Sequence, residues 1–182
     1  IVAAQVFGTA ELGNQVRYGF EGVAMDEDTG TVLVGVQRPW NGEAGSRLVA
    51  IDTKNDQERT LYYTFDAPES PAGGWGGISD LESIGNDQFL VLERDNQGGP
   101  DARIKRIYKI DVSGLADDAT VSKTLVKDLI ADGDLPAGNG LISEKVEGLT
   151  MDADGNLWVN NDNDGVDDNS GENQLINLGP MQ

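Results

Sequence analysis

Glu21-Gly22-Val23-Ala24-Met25-Asp26-Glu27-Asp28-Thr29-Gly30-Thr31-Val32-Leu33-Val34 reads as an acid, a glycine, a short apolar strand, an acidic turn and a second apolar strand. Glu147-Gly148-Leu149-Thr150-Met151-Asp152-Ala153-Asp154-Gly155-Asn156-Leu157-Trp158-Val159 says the same thing again. A degenerate copy, Ser79-Asp80-Leu81-Glu82-Ser83-Ile84-Gly85-Asn86-Asp87-Gln88-Phe89-Leu90-Val91-Leu92, lies between them. A unit repeated at this spacing marks a solenoid, a propeller or an array, because one copy cannot bury its apolar face alone. Each copy sets an acid near the start of its first strand: Glu21, Asp80 and Glu147.

The copies run on past their hairpins. In the first, residues 47–52 and 60–65 read as a third and a fourth strand around the polar turn 54–57. In the middle copy, 89–92 is a buried-type run and 103–111 partly alternates polar and apolar. Residues 121–126 supply its fourth strand, with a short helix over 123–131 as the alternative. The last copy adds a strand at 173–178. Four antiparallel strands per unit, opening at an acid, is the grammar of a propeller blade. The expected fold is therefore all-β, a partial β-propeller of about three four-stranded antiparallel blades. The blades fall at 20–66, 78–127 and 146–179 of a single segment spanning 1–182. A β-sandwich or an irregular β-sheet domain is the alternative. Three blades do not close a ring, which takes about four to eight. The expected partner is thus the remaining half of the propeller, on the same longer chain or a second copy.

Composition narrows the chemistry. The chain has 182 residues with 13 lysines and arginines against 32 acids, a formal charge of −19. Such a surface repels nucleic acid and anionic membranes, and no stretch is long and apolar enough to span a bilayer. Neither nucleic-acid binding nor membrane insertion is expected. Cysteine is absent, so disulfides and thiolate metal sites are excluded. Histidine is absent too, and this chain alone cannot build a Ser-His-Asp triad or a histidine-ligated zinc site. Gly-x-Ser-x-Gly does not occur, and Ser79, Ser83 and Ser143 have acids nearby but no histidine base.

Any metal should be a hard cation with oxygen ligands, and calcium suits converging carboxylates. Glu21, Asp80 and Glu147, if they face one channel, are candidate ligands. An equally open reading has them accept backbone N–H groups from the neighbouring blade. Asp162-Asn163-Asp164-Gly165-Val166-Asp167-Asp168-Asn169 resembles the opening of a calcium loop, making Asp162, Asp164 and Asp168 candidate ligands. It is not an EF-hand, because Asn173 stands where the distal glutamate belongs. A polar hairpin loop is its plainer reading. Gln37-Arg38, Glu93-Arg94 and Asn161-Asp162 occupy equivalent places in the three copies. Arg38 and Arg94 are suited to bidentate phosphate or carboxylate binding, or to ion pairs between blades.

An ordered set of segments carries a family likeness. It comprises Gly19-Phe20-Glu21-Gly22-Val23-Ala24, Val34-Gly35-Val36-Gln37-Arg38-Pro39, Ile78-Ser79-Asp80-Leu81, Phe89-Leu90-Val91-Leu92-Glu93-Arg94-Asp95, Val146-Glu147-Gly148-Leu149-Thr150 and Asn160-Asn161-Asp162-Asn163-Asp164-Gly165. Together they resemble the bacterial phytase-like propeller domain, described as the esterase-like activity of phytase family. The likeness covers nearly the whole chain and matches the C-terminal half of that domain. It implies an extracytoplasmic bacterial protein (periplasmic, cell-surface or secreted) that hydrolyses phosphoric esters, with a phosphorylated small molecule as ligand. On that footing Arg38 and Arg94 orient phosphate, Glu93 stands beside them in the catalytic set, and carboxylate-held calcium is the cofactor. A non-catalytic calcium-stabilised binding or structural module and a lactonase-like metal hydrolase are the alternatives.

Overall fold

The computed structural model describes residues 18–135, 142–163 and 173–181. They form three antiparallel sheets, of four, four and three strands. The first holds β1 (Phe20–Asp26), β2 (Thr31–Val36), β3 (Ser46–Asp52) and β4 (Gln57–Tyr63) in sequence order. The second holds β5 (Gly76–Gly85), β6 (Gln88–Asp95), β7 (Lys105–Asp111) and β8 (Lys123–Asp128), again in order. In the third, β10 (Asn156–Asn161) lies between β9 (Val146–Met151) and β11 (Leu175–Pro180). This is a partial propeller. The expected strand at 121–126 exists as β8, so the helical alternative falls. The third sheet shows three strands among the described residues, the hairpin and the closing strand read at 173–178.

Side-chain alternation stacks the sheets. Along β6, Phe89 and Val91 turn toward the first sheet and join Leu33, Leu48, Leu61 and Tyr63 in one core. Leu90 and Leu92 turn the other way, into a second core with Val146, Leu149, Leu157 and Val159. Where β6 packs against apolar cores on both faces it is apolar at every position, which is why 89–92 has no polar interruption, whereas the buried Glu93, Arg94 and Asp95 that follow each have charged or hydrogen-bonding partners. Each fully buried leucine or phenylalanine here contributes about 1.5–3 kcal/mol. The open edge of β4 is covered by the segment after β7. Val121 donates its N–H to the Tyr62 carbonyl at 2.9 Å, and Tyr62 donates to the Ala119 carbonyl at 2.9 Å. That pairing blunts an edge that would otherwise invite another chain.

The first strands of the blades lie side by side, with β5 between β1 and β9. Gly22 sets how closely β1 approaches β5. A Cβ at this position would meet the Leu81 nitrogen at 2.8 Å and the Asp80 carbonyl carbon at 3.0 Å. Both are backbone atoms, so the strand itself would have to move. Gly22→Ala is expected to destabilise the protein by about 1–3 kcal/mol, as overpacking does. Urea unfolding measures it, and an unchanged midpoint would mean that β1 and β5 can part at no penalty.

Candidate functional site

Three β-bulges build one end of the inner strands. The pairing of β1 with β2 skips Glu21, that of β5 with β6 skips Ser79, and that of β9 with β10 skips Glu147. A bulge leaves one residue unpaired and re-aims its side chain. The structural equivalents are therefore Glu21, Ser79 and Glu147, and Asp80 sits one place further along, level with Gly22 and Gly148. The same registers pair Val36 with Phe20, Glu93 with Ile78 and Asn161 with Val146. Arg94 thus corresponds to Gln37 and Asp162, whereas Arg38 corresponds to Asp95. The expectation that the two arginines occupy matched positions is corrected by one residue, because a bulge is invisible in the copies' spacing.

The residue after each second strand reaches back to a bulge. Gln37 donates through Nε2 to Glu21 Oε1 at 2.6 Å. Arg94 donates through Nε to Ser79 Oγ at 2.9 Å and through an Nη to Glu147 Oε1 at 2.7 Å. Its other Nη lies 3.7 Å from Glu144. At 4% exposed, Arg94 is a buried cross-link between the second and third blades.

Asp80 makes a second cross-link. Its two carboxylate oxygens accept the N–H of Leu81 at 2.9 Å and the N–H of Leu149, on β9, at 2.8 Å. Glu82 repeats the device two residues on, accepting the N–H of Met151 at 3.0 Å. The reading in which inner-strand acids bind backbone of the neighbouring blade describes both. Glu82 was not singled out from the sequence, although its place two residues after Asp80 on the same strand face was a signal.

Glu93 and Arg94 are adjacent in sequence but leave opposite faces of β6. Glu93 has no exposed surface and turns toward the first blade. It accepts the Tyr63 hydroxyl at 2.6 Å, the Asp66 N–H at 2.8 Å and the Lys123 ammonium at 2.7 Å. Burial and the Glu93 charge push the Tyr63 phenol far above its ordinary pKa, so it stays a donor. Lys123 also pairs with Asp66 at 2.8 Å. The structure does not bring Glu93 together with the arginines or the bulge acids.

Arg38 lies differently. Its Cζ stands 4.7 Å from the Tyr18 ring centroid and 4.4 Å from that of Trp75. The two rings meet edge-on, 5.2 Å apart. Arg94 approaches the same Trp75 ring at 5.9 Å, which sets Arg38 beside the bulge end. Tyr18 and Trp75 escaped the sequence reading. The glycines around Trp75, at 73, 74, 76 and 77, were the available signal, because such a run admits close approach of a large ring.

Of the metal ligands expected from sequence, Glu21, Asp80, Glu147 and Asp162 lie among the described residues. Among the described residues no group of three or more carboxylates is placed to hold a metal ion. Asp80 is engaged by two N–H groups, Glu147 by Arg94 and Glu21 by Gln37. As they stand, these three do not fit a shared calcium. Asp162 is exposed, with Lys145 at 3.9 Å, while Asp164 and Asp168 lie outside the described residues. A cleft of about 520 Å³ opens toward the other end of the inner strands. It is lined by Val23, Met25, Asp26, Glu82, Ile84 and Met151, with no cationic side chain.

The phytase-like family model, esterase-like activity of phytase, matches residues 3–165. The chain belongs to the phytase-like family. Neither the curated proteins nor the solved structures contain a match to it.

Carboxylates of this phytase-like chain shift in two directions, with opposite pH signatures. Burial raises Glu21 above its ordinary 4.5, helped by Glu147 and Asp80 and opposed by Arg94 and Gln37. Burial likewise raises Asp80 above 3.8 and Glu82 above 4.5, against the N–H groups they accept. Groups raised in the folded state add stability that is complete below the ordinary pKa and lost as pH rises through the folded value. Asp26 is lowered. Burial alone would raise it, but the N–H groups of Asp87, Thr29 and Asp28 together outweigh that effect. Asp152 is lowered to about 2, by the Trp158 indole N–H first and Asn156 next. Lowered groups add stability above 3.8 that is lost as pH falls through the folded value. Melting temperature should therefore rise as pH drops from 7 toward the ordinary carboxylate range, then fall steeply in stronger acid. A monotonic fall from pH 7 in a circular-dichroism series would contradict these assignments.

Proposed function

We propose that this phytase-like chain serves the hydrolysis of phosphoric esters, and that it meets its ligand at the bulge end of the inner strands. The observation that carries this is the triple bulge. Three blades re-aim Glu21, Ser79 and Glu147 at one end, with Arg94 and the Arg38 ring contact beside them. Bulges repeated in this way next to polar residues are a common device at binding sites. The chain's part is to hold and orient an anion with Arg38, since Arg94 is tied into blade-to-blade bonds. It offers no serine with a histidine base, since histidine is absent.

Calcium belongs to the reading as an ion of the loop that carries Asp162, Asp164 and Asp168. So many carboxylates in one loop repel one another without a cation. No catalytic step is assigned to it. An extracytoplasmic place follows the same logic, because loose oxygen-ligand sites fill at the calcium levels found outside the cytoplasm.

A second reading has its own support. Arg94 and Asp80 are spent on blade-to-blade bonds, and Glu93 is wholly buried with a lysine. These facts favour a binding or structural module without catalysis, since the fold alone does not dictate an activity. Phosphate release from a panel of phosphoric esters by the full-length protein, with calcium and with chelator, separates the two. Release is expected, and none from any ester at saturating calcium would leave the non-catalytic module.

A further inference from the structure

We propose that Arg38, packed on Tyr18 and Trp75, is a clamp for the terminal oxyanion of a phosphate monoester. The choice of phosphate among oxyanions rests on the phytase-like reading; the clamp itself rests on geometry. In a chain with 32 acids and 13 basic residues, an arginine ordinarily finds a carboxylate. Among the described residues Arg38 has none. Its Nε is shut from solvent and has no hydrogen-bond acceptor. A buried donor left without an acceptor is unfavourable by about 1–3 kcal/mol, and a ligand or water that enters to accept it removes that penalty. The guanidinium edge formed by Nε and a neighbouring Nη matches two oxygens of one phosphate.

The surroundings are built to hold that edge still. Asn96 pins Trp75 on both sides: Trp75 donates its N–H to Asn96 Oδ1 at 2.8 Å, and Asn96 donates its N–H to the Trp75 carbonyl at 3.0 Å. Gly74 sits at φ +101°, where other residues are strained. A Cβ on Gly77 would stand 3.0 Å from the Trp75 ring and 3.2 Å from the Gln37 carbonyl, so a side chain there would push the ring away from the residue next to Arg38 by a few tenths of an ångström. The rings occupy the guanidinium's neighbourhood without competing for its N–H groups. By contrast, Arg94 already has Ser79, Glu147 and Glu144, and holds no donor edge in reserve.

The test follows the Arg38 Nε–H signal by NMR on the intact chain while inorganic phosphate, phenyl phosphate or acetate is added at constant ionic strength. Both phosphates should shift that signal to saturation, and acetate should do so far less. Arg38→Lys keeps the charge but loses the two-point edge, and should bind phosphate roughly tenfold more weakly. Trp75→Leu keeps the arginine and should also weaken binding, which guards against misfolding of the first variant. No shift with either phosphate, or equal affinity in Arg38→Lys, would overturn the clamp, and an equal acetate response would overturn the choice of phosphate. Saturable phosphate binding in a protein that releases no phosphate from esters sinks the hydrolase reading and leaves the clamp standing. Unchanged ester hydrolysis in Arg38→Lys does the reverse.

Discussion

Glu93→Ala should lower the unfolding free energy by about 3–5 kcal/mol, the range found when one member of a buried ion pair is removed. Glu93 has no solvent contact and gathers a phenol and a backbone N–H from the end of β4 and just beyond it, and an ammonium from β8. Truncation leaves the Tyr63 hydroxyl and the Asp66 N–H without their acceptor and opens a cavity between the first two blades. Lys123 retains Asp66, which sets the loss at the lower end of the range. Phosphate affinity per folded molecule should not change. If Glu93 instead acts in catalysis, the pattern inverts: stability stays near wild type and turnover disappears. Denaturant titration beside a phosphate-release assay distinguishes the outcomes.

Lys105→Met should be at least as damaging, again about 3–5 kcal/mol. Lys105 is fully buried and donates to Asp95 Oδ1 at 2.7 Å, to the Asp95 carbonyl at 2.9 Å and to the Gln97 carbonyl at 2.8 Å. Burial pulls its pKa down to about 8, against the attraction of Asp95. Without the ammonium, a carboxylate only 5% exposed is left with just two backbone N–H partners, from Arg103 and Ile104. Adding Asp95→Asn to Lys105→Met removes the stranded charge and should recover much of the loss, since replacing both members of a buried pair is often near neutral. Failure of the second substitution to recover any stability would mean that lysine packing, not charge, matters at this position.

Both predictions depend on which face of a strand a residue leaves, and that marks the limit of what the sequence shows. The hairpins were legible because acid-glycine-apolar followed by an Asp-Gly turn carries both strand alternation and turn chemistry. The run at 89–92 was legible as a buried-type strand because it is apolar without interruption. Glu93 and Arg94 were nonetheless read as one constellation. Strand alternation alone sends them to opposite faces, and the two cores on either side of β6 confirm it. The bulges at Glu21, Ser79 and Glu147 were not legible. A bulge shifts register by a single residue without altering the apolar pattern on the far side, so Asp80 looked equivalent to the two glutamates. The ring contact of Arg38 was hidden for another reason. Tyr18, Arg38 and Trp75 come from three separate segments and meet only once β5 has paired beside β1.

The central claim is a division of labour in which Arg94 joins blades and Arg38 meets ligand. A double-mutant cycle on Arg94→Met and Glu147→Gln, read by unfolding free energy, tests it most directly. The two groups meet at 2.7 Å across the interface between the second and third blades, with the arginine almost wholly buried. The account predicts a favourable coupling in the upper part of the roughly 0.5–3 kcal/mol range for contacting residues, with phosphate affinity unchanged in the folded variants. A coupling near zero, together with loss of phosphate binding on Arg94→Met, would place Arg94 at the ligand and contradict it.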